Sequence, residues 1–340
     1  MAAHADETFH EGECAVQERV GVREKLATVG RHAIRDFMPD QHRAFFEQLP
    51  FLIAGTVDAG GQPWASVLAN APGFIIAPDP YRMEVHARPL LADPLHETLG
   101  VGAPIGLLGI EPQTRRRNRV NGIVAHVSNG GFSMRVSQSF GNCPKYIQAR
   151  EPRLLETAGT AAKSVRRATV LDDAAQHLIR SADTFFIATA FAARGGGNNR
   201  AQGVDVSHRG GNSGFVRVDT DGTLTVPDFV GNFFFNTLGN LQVNPRAGLL
   251  FIDFASGDLL YVATDAEIIW EGAELRVFDG AQRLLRFRVR AVLYVSASLP
   301  LRWGSVQSSP FLKTTGAWPP RASQPCLAVR MRACSPPDLV

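Results

Sequence analysis

Short strand-like segments that occur twice, in the same order, constrain the fold of this chain more than any other feature of its sequence. Phe51-Leu-Ile-Ala is matched 134 residues later by Phe185-Phe-Ile-Ala, Pro72-Gly-Phe74 is matched 141 residues later by Ser213-Gly-Phe215, and Gly106–Glu111 is matched 142 residues later by Gly248–Asp253. The spacing grows mainly at the Gly/Asn-rich stretch 194–200, where one inserted loop would account for it. Three ordered matches at nearly one spacing predict an internal duplication.

Each copy has the sequence pattern of consecutive β-hairpins. The apolar run Phe51–Val57 is followed by a turn at Asp58–Gly61 and by a second apolar run, Pro63–Leu68, and such alternation is typical of antiparallel strands. The sequence therefore predicts a mainly β fold with two barrel-like domains, each preceded by a helix. The expected divisions are an N-terminal helical extension (1–50), a first barrel (51–150), a linker with a helix (151–175), a second barrel (176–318) and a mobile Pro-rich tail (319–340).

Composition excludes several classes of protein. The chain has 340 residues, of which 45% are hydrophobic and 20% charged, as in folded globular proteins and unlike disordered ones. The net charge of +3 is spread along the sequence, so no basic face for nucleic acid is expected. No apolar run approaches the ~18 residues of a membrane span, and the N-terminus lacks the order of a signal peptide. A cytoplasmic location and no membrane partner are expected.

Familiar catalytic and metal-binding motifs are missing from the sequence. The four cysteines form no CxxC pair and the nine histidines form no HxH or HxxxH pair, so no metal site is expected. The Gly-rich stretches match neither a phosphate loop nor the GxGxxG of dinucleotide-binding folds. No Ser/His/Asp or Cys/His set is recognisable, so no residue is expected to act as a covalent catalyst.

Two polar patterns have both a structural and a functional interpretation. Asn232, Asn236 and Asn240 are spaced four residues apart and would share one face of a helix; they form either a polar surface or, with Thr237, a site for an anion at the helix N-terminus. Strand alternation would place Arg117, Arg119 and Asn121 on one face of a strand. This face is interpreted as either a solvated edge or an anion-binding site. The thiol of Cys143 lies two residues from Lys145 and is interpreted as either a buried structural cysteine or a thiol activated by the cation.

At the level of motifs, the second half resembles the pyridoxamine 5'-phosphate oxidase-like, FMN-binding split-barrel family. The segments that carry the resemblance are Gly203-Val-Asp-Val-Ser-His-Arg-Gly-Gly211, Thr225-Val-Pro-Asp228, Gly231-Asn232 and Asn244-Pro-Arg-Ala-Gly-Leu-Leu-Phe251. The resemblance implies six-stranded Greek-key split barrels, with FMN bound between two of them. The cofactor wall that it implies consists of Val206, Ser207, His208, Arg209, Asp228, Phe229, Asn232, Asn236, Thr237 and Asn240.

The first half resembles the same family in other places. Arg119-Val-Asn-Gly122 is similar to its RVNG motif and Cys143-Pro-Lys145 to its terminal CPK motif, whereas the second half has Tyr261-Val-Ala-Thr264 in place of RVNG. The motifs that come first in the family's sequences (the early motifs) are thus kept in the second half of this chain. The motifs that come last, RVNG and CPK (the late motifs), are kept in the first half. This implies an intrachain pseudo-dimer with a single FMN site, to which Arg117, Arg119, Asn121 and Lys145 also contribute.

The function implied is that of an FMN-dependent oxidoreductase, either an oxidase or a reductase. Flavins perform the hydride chemistry themselves while the protein supplies orientation and charge. The expected partners are a small-molecule substrate and a separate electron donor, NAD(P)H or a reductase, and the chain would be a monomer or a homodimer. The alternatives are a non-enzymatic flavin or redox-sensing module, a split-barrel protein that binds haem or a deazaflavin, and a cofactor-free interaction domain.

Overall fold

A computed structural model describes residues 8–155, 163–192 and 201–319 of the chain. The described residues form two large antiparallel sheets, with about twice as many residues in strands as in α-helices, which confirms the prediction of a mainly β protein. The Gly/Asn-rich stretch 194–200, and all but the first residue of the tail predicted at 319–340, lie outside the described residues.

Seven α-helices accompany the sheets in the described part of the chain. They are α1 (Glu11–Arg19), α2 (Arg23–Ala33), α3 (Asp40–Glu47), α4 (Leu95–Thr98), α5 (Asp173–Ser181), α6 (Asn236–Val243) and α7 (Ala273–Arg276), with short 3-10 helices at Pro112–Thr114 and Pro310–Thr314. The N-terminal extension is helical, as predicted, but it is interrupted at Gly21. Gly21 has a φ of 72°, a left-handed conformation that glycine adopts readily, and this turn separates α1 from α2.

The first sheet is formed by seven strands. They are β1 (Phe51–Val57), β2 (Pro63–Ala69), β3 (Ile75–Asp79), β4 (Arg82–Val85), β5 (Pro104–Glu111), β6 (Arg116–Ser128) and β7 (Gly131–Gly141), in the order β2-β1-β5-β6-β7-β4-β3. The predicted hairpin is confirmed, because β1 and β2 pair from Phe51 opposite Ala69 to Val57 opposite Pro63.

The second sheet repeats this strand order. Its strands are β9 (Val165–Ala168), β10 (Thr184–Phe191), β11 (Gly203–Gly210), β12 (Arg217–Val218), β13 (Leu224–Phe229), β14 (Arg246–Ile252), β15 (Leu259–Ile269) and β16 (Ala281–Val295); β8 (Pro152–Leu154) and β17 (Leu301–Trp303) form a separate pair. The order is β11-β10-β14-β15-β16-β13-β12, with β9 paired to β16. Each path runs from one edge strand to another, so these are open sheets of seven and eight strands and not closed six-stranded barrels.

The two sheets pack against each other through equivalent strands. Strand β5 packs on β11, and β2 packs on β14. Gly106 in β5 lies against the carbonyl of Val204, and Gly248 in β14 lies against the carbonyl of Pro63, so tightly that a Cβ at either glycine would clash. Both sheets contribute side chains to the apolar core between them, which holds the two halves together and fixes the position of the cleft described below.

Helix α1 lies directly on α6, far away in sequence. The two helices meet at Gly12 and Gly239, where a Cβ on Gly239 would overlap the backbone of Glu13. Since helix axes approach this closely only where side chains are absent from the contact, the two glycines allow the N-terminal extension to cover one face of α6.

Candidate functional site: an arginine cleft between the two halves

Residues from both halves line one cleft, which we call the arginine cleft. It is lined by Arg117 and Arg119 of β6, Asn142 and Cys143 after β7, Ser207, His208 and Arg209 of β11, Asp228 and Phe229 of β13, and Gly231, Asn232, Phe233, Phe235, Asn236, Thr237 and Leu238 around the start of α6. The late motif of the first half and the early motifs of the second half therefore meet at one place. Ten of the fourteen predicted site residues lie here.

The first half supplies two guanidinium groups on one face of β6. Arg119 is buried and donates to Asp205 at 3.1 Å, to Asn236 at 2.9 Å and to Ser207. Arg117 donates only to backbone carbonyls, those of Cys143 at 2.6 Å and His208 at 3.3 Å. Burial lowers the pKa of Arg117 to about 10, so this group remains charged at neutral pH without a carboxylate partner among the described residues.

The second half supplies two more guanidinium groups around one carboxylate. Arg209 donates to Asp228, and Nε of Arg283 lies 3.6 Å from the same carboxylate. Arg283 stands opposite Asp228 in the pairing of β13 with β16. Arg283 does not itself line the cleft and was not predicted from the sequence, because only the strand register places it beside Asp228.

The buried charges at the cleft do not balance. Four guanidinium groups (Arg117, Arg119, Arg209 and Arg283) face two carboxylates, Asp205 and Asp228. Several of their N–H groups are buried without a hydrogen-bond partner: Nε of Arg119, of Arg209 and of Arg283, and Nη1 of Arg283. Buried polar groups in proteins are normally paired, so this surplus of donors and positive charge favours an anionic ligand.

The N-terminus of α6 adds further donors. Phe235 precedes the helix, and no side chain caps its N-terminus, which leaves the first N–H groups without intrahelical partners. Phe233 and Phe235 both have a φ of 63°. Bulky residues rarely adopt this left-handed conformation, and such strained positions concentrate at functional sites. The helix terminus and its positive dipole end thus face the cleft at a strained turn.

Polar and aromatic side chains complete the lining. Burial, with Arg117 and Arg150 nearby, keeps the pKa of His208 well below its usual range, so its imidazole is neutral at pH 7. Thr237 donates to the hydroxyl of Ser207 at 3.1 Å. Phe229 and Phe233 provide apolar surface at the mouth of the cleft.

The cleft has a small accessible interior that opens to solvent. The centre of a water molecule can reach about 100 Å³, and the whole space between the lining residues, the open mouth included, is about 580 Å³. The enclosed volume of about 100 Å³ is below the roughly 300–1,000 Å³ of small-molecule sites, so it can hold a group the size of phosphate, and a larger ligand would extend into the open space. The charge surplus and the helix terminus together favour such an anionic group.

Four predicted site residues do not line the cleft. Val206 lies in the apolar core between the sheets. Asn121 and Asn240 are buried, and both donate to Asp205, at 2.8 and 2.9 Å. Lys145 lies over the ring of Phe311 at 5.3 Å.

The expected stripe of three asparagines on one helix is also wrong. The helix begins at Asn236, and Asn232 precedes it, with its Oδ1 accepting from the N–H of Phe234.

A buried polar network lies behind the cleft and includes α1, which sequence analysis missed. His10 Nε2 lies 2.9 Å from Asn240 Oδ1, and Asn236 donates to Glu13 at 2.5 Å. Burial lowers the pKa of His10 to about 4. Burial and the nearby Asp205 raise the pKa of Glu13 to about 8, so both groups are largely neutral at pH 7. One sequence signal was Gly239, a glycine in the interior of α6, where glycine is unfavourable.

Comparisons with known proteins do not place the chain in a family. No protein-family model matches it, and no curated protein matches it. A crystal structure of a variant of HupZ from Group A Streptococcus matches 36% of this chain and 98% of its own, with 14% identity and a TM-score of 0.29. The Bacillus subtilis inhibitor of motility, MotI/DgrA, matches 71% of this chain and 87% of its own, with 5% identity and a TM-score of 0.20. Neither likeness carries an argument about function.

The equivalent position in the other half has a different, closed arrangement. In the strand pairing, Arg119 stands opposite Leu108, and Tyr261 stands opposite Leu250. The two leucines are equivalent, because each comes two residues after a tightly packed glycine, Gly106 or Gly248. The Tyr261 hydroxyl donates to Asp93 at 2.8 Å, and Asp93 also accepts from Ser66 at 2.5 Å. All three side chains are buried. This half therefore has a tyrosine with a satisfied partner where the other has the guanidinium of the cleft.

Among the described residues there is no group of three or more His, Cys, Asp or Glu arranged to hold a metal ion. Within the same part of the chain, no helix has the length and apolar character needed to span a membrane.

Proposed function

We propose that the chain binds FMN through the arginine cleft and is an FMN-dependent oxidoreductase, an intrachain pseudo-dimer of two split barrels similar to the pyridoxamine 5'-phosphate oxidase-like family. The strand order supports this assignment. Without the edge strands β3 and β12, the two paths are β2-β1-β5-β6-β7-β4 and β11-β10-β14-β15-β16-β13, six strands each in the same order. In these two paths β5 is equivalent to β14, and β2 is equivalent to β11. The packing of β5 on β11 and of β2 on β14 is therefore the same contact made twice, as a two-fold arrangement of such units requires.

The observation that carries the proposal is the unbalanced positive charge of the cleft. A phosphate monoester carries close to two negative charges at neutral pH, which matches the net surplus of two positive charges when the four guanidinium groups are set against the two carboxylates. Arg117 and Arg209 would bind the phosphate, with the N-terminus of α6 and Thr237 as further donors.

The other residues of the cleft would orient the rest of the cofactor. Phe229 and Phe233 would contact the apolar ring at the cleft mouth, and the neutral imidazole of His208 would offer a hydrogen bond without adding charge. Arg119 is held by Asp205, and its buried Nε, which has no hydrogen-bond partner among the described residues, would be free to donate to the cofactor. When bound, FMN supplies two-electron hydride transfer to or from a substrate.

A single cofactor per chain is part of the proposal. Tyr261 replaces the arginine of the cleft in the other half, and its buried bond to Asp93 occupies the position from which a guanidinium would reach a ligand. We therefore expect one FMN for each chain.

The test is the visible absorption spectrum of the purified full-length chain, followed by titration of the flavin-free protein with FMN and with riboflavin. Charge-assisted hydrogen bonds contribute about 1.5–3 kcal/mol each, so FMN should bind at least roughly tenfold more tightly than riboflavin, which lacks the phosphate. Arg117→Gln should weaken FMN binding by about tenfold and leave riboflavin binding unchanged. Bleaching of the bound flavin by NAD(P)H would identify a reductase.

The matched control is Arg116→Gln. Arg116 is the neighbouring residue of β6, and it lies over the ring of Phe45 at 5.0 Å instead of in the cleft, so its replacement should not alter FMN binding. Equal affinities for FMN and riboflavin would contradict the phosphate assignment, and two FMN per chain would contradict the pseudo-dimer. A Soret band would favour haem, and a chain that binds no chromophore would favour a cofactor-free interaction domain.

A further inference from the structure

Cys143 is a half-buried free thiol inside the arginine cleft. It follows β7, so it belongs to the first half, while most of the cleft residues around it belong to the second. Its carbonyl accepts a hydrogen bond from Nε of Arg117 at 2.6 Å. The sulfur lies close enough to Arg117 for the two to interact electrostatically.

A second observation points to an anion beside this thiol. Arg119, which lines the same cleft, is only 2% exposed, and its Nε is buried without a hydrogen-bond partner. Arg209 on the opposite wall also has an unpartnered Nε. An anionic small molecule would therefore be attracted into the cleft by positive charge and would meet the sulfur of Cys143 there.

We infer that Cys143 is a modification site for small anionic disulfides, of which glutathione disulfide is an example. The inference rests on the charge of the cleft and on the access to its thiol, and it holds whether or not the cleft binds flavin. It treats Cys143 as an accessible thiol beside the arginines of the cleft, whereas Lys145 does not line the cleft.

The reaction is a thiol–disulfide exchange. The Cys143 thiol loses its proton to solvent, and the thiolate attacks one sulfur of the disulfide. The S–S bond of the reagent breaks, a mixed disulfide forms on Cys143, and the other half of the reagent leaves as a thiolate. Cys143 is oxidised and the leaving half is reduced, so no further oxidant is needed.

The product would close the anion site. A mixed disulfide with glutathione places two carboxylates within the cleft, where they would compete with a phosphate for Arg117 and Arg209. Modification and phosphate binding should therefore exclude each other.

The test uses the full-length chain with Cys14, Cys326 and Cys334 replaced by serine, so that Cys143 is the only thiol. Its reaction rate is measured with dithiobis(nitrobenzoate), a dianionic disulfide, and with dithiodipyridine, a neutral one. Clefts lined by one sign of charge raise the encounter rate of oppositely charged molecules by roughly 10–1,000-fold. The ratio of the anionic to the neutral rate should thus be at least about tenfold higher for Cys143 than for Cys14, measured in the matched chain that retains only Cys14.

Four further measurements test the inference. Added salt should reduce the anionic rate and leave the neutral rate unchanged, and inorganic phosphate at constant ionic strength should slow the modification of Cys143 alone. Arg209→Gln should lower the anionic rate, and Arg116→Gln should not. Mass spectrometry after treatment with glutathione disulfide should show one adduct, on Cys143. Equal rate ratios for Cys143 and Cys14, or a Cys143 that reacts only after unfolding, would overturn the inference.

Discussion

Arg119 and Asp205 form a buried ion pair at 3.1 Å although they come from different sheets. Asp205 also accepts from Asn121 in the first half and from Asn240 in the second. The carboxylate therefore joins three donors at the junction of the two halves. An ion pair in this position ties the integrity of the cleft to the packing of one sheet on the other.

Replacing Asp205 by asparagine should destabilise the protein strongly. It would leave the Arg119 guanidinium buried without a counter-charge, and removing one partner of a buried pair costs about 3–5 kcal/mol. Urea unfolding measures the change. The matched control is Asp265→Asn, because the Asp265–Arg290 pair is largely exposed and such pairs contribute less than about 1 kcal/mol. Similar losses in the two variants would contradict a structural role for the buried pair.

The stability of the protein should fall between pH 6.5 and pH 8, and Glu13→Gln should flatten this dependence. The folded-state pKa of Glu13, about 8, lies above its usual 4.5, so the folded protein binds the extra proton and loses stability as the pH rises from 4.5 to 8. His10 acts in the opposite direction but only between its folded pKa of about 4 and 6.5.

Unfolding in urea at pH 6.5 and at pH 8 tests this prediction. Between pH 6.5 and pH 8, the free energy of unfolding of the wild type should fall by about 1–2 kcal/mol more than that of Glu13→Gln, since one pKa unit corresponds to ~1.4 kcal/mol. Glutamine keeps one acceptor oxygen for the N–H of His10 but cannot accept from Asn236 as well, so some loss of stability is expected at both pH values, and the pH dependence is the informative quantity. Parallel pH profiles for the two proteins would show that Glu13 is ionised at neutral pH.

Local sequence patterns predicted much of the fold. The bounds predicted for β1, Phe51–Val57, agree with those observed, because this short apolar run is followed directly by turn residues. Strands β3 and β4 were missed, since Ile75–Asp79 contains a proline and Arg82–Val85 is short and half charged. Sequence motifs pointed to ten of the residues that line the cleft. The pairing of Arg283 with Asp228 and the packing of α1 on α6 depend on contacts between residues distant in sequence, which no local pattern encodes.

Gly239→Ala should destabilise the protein although alanine is the better helix former. In an exposed helix the substitution would stabilise by about 1 kcal/mol. Here the added methyl group would overlap the backbone of Glu13, and overpacking costs about 1–3 kcal/mol. Thermal unfolding should therefore show a lower Tm. Gly100→Ala is the control, because a Cβ there meets no atom within 4 Å; an unchanged or raised Tm for Gly239→Ala would contradict the close contact of α1 with α6.

Inorganic phosphate should raise the Tm of the wild-type protein more than that of Arg209→Gln. A ligand that binds only the folded state stabilises it by about 2.7 kcal/mol at a hundred times its Kd, which corresponds to several degrees. Phosphate also stabilises proteins generally by exclusion from their surface, so the difference between the variants, at constant ionic strength, is the informative quantity. Arg290→Gln, which changes an exposed arginine far from the cleft, should respond to phosphate like the wild type. If Arg209→Gln and Arg290→Gln gained equally, the buried guanidinium groups of the cleft would not be an anion site.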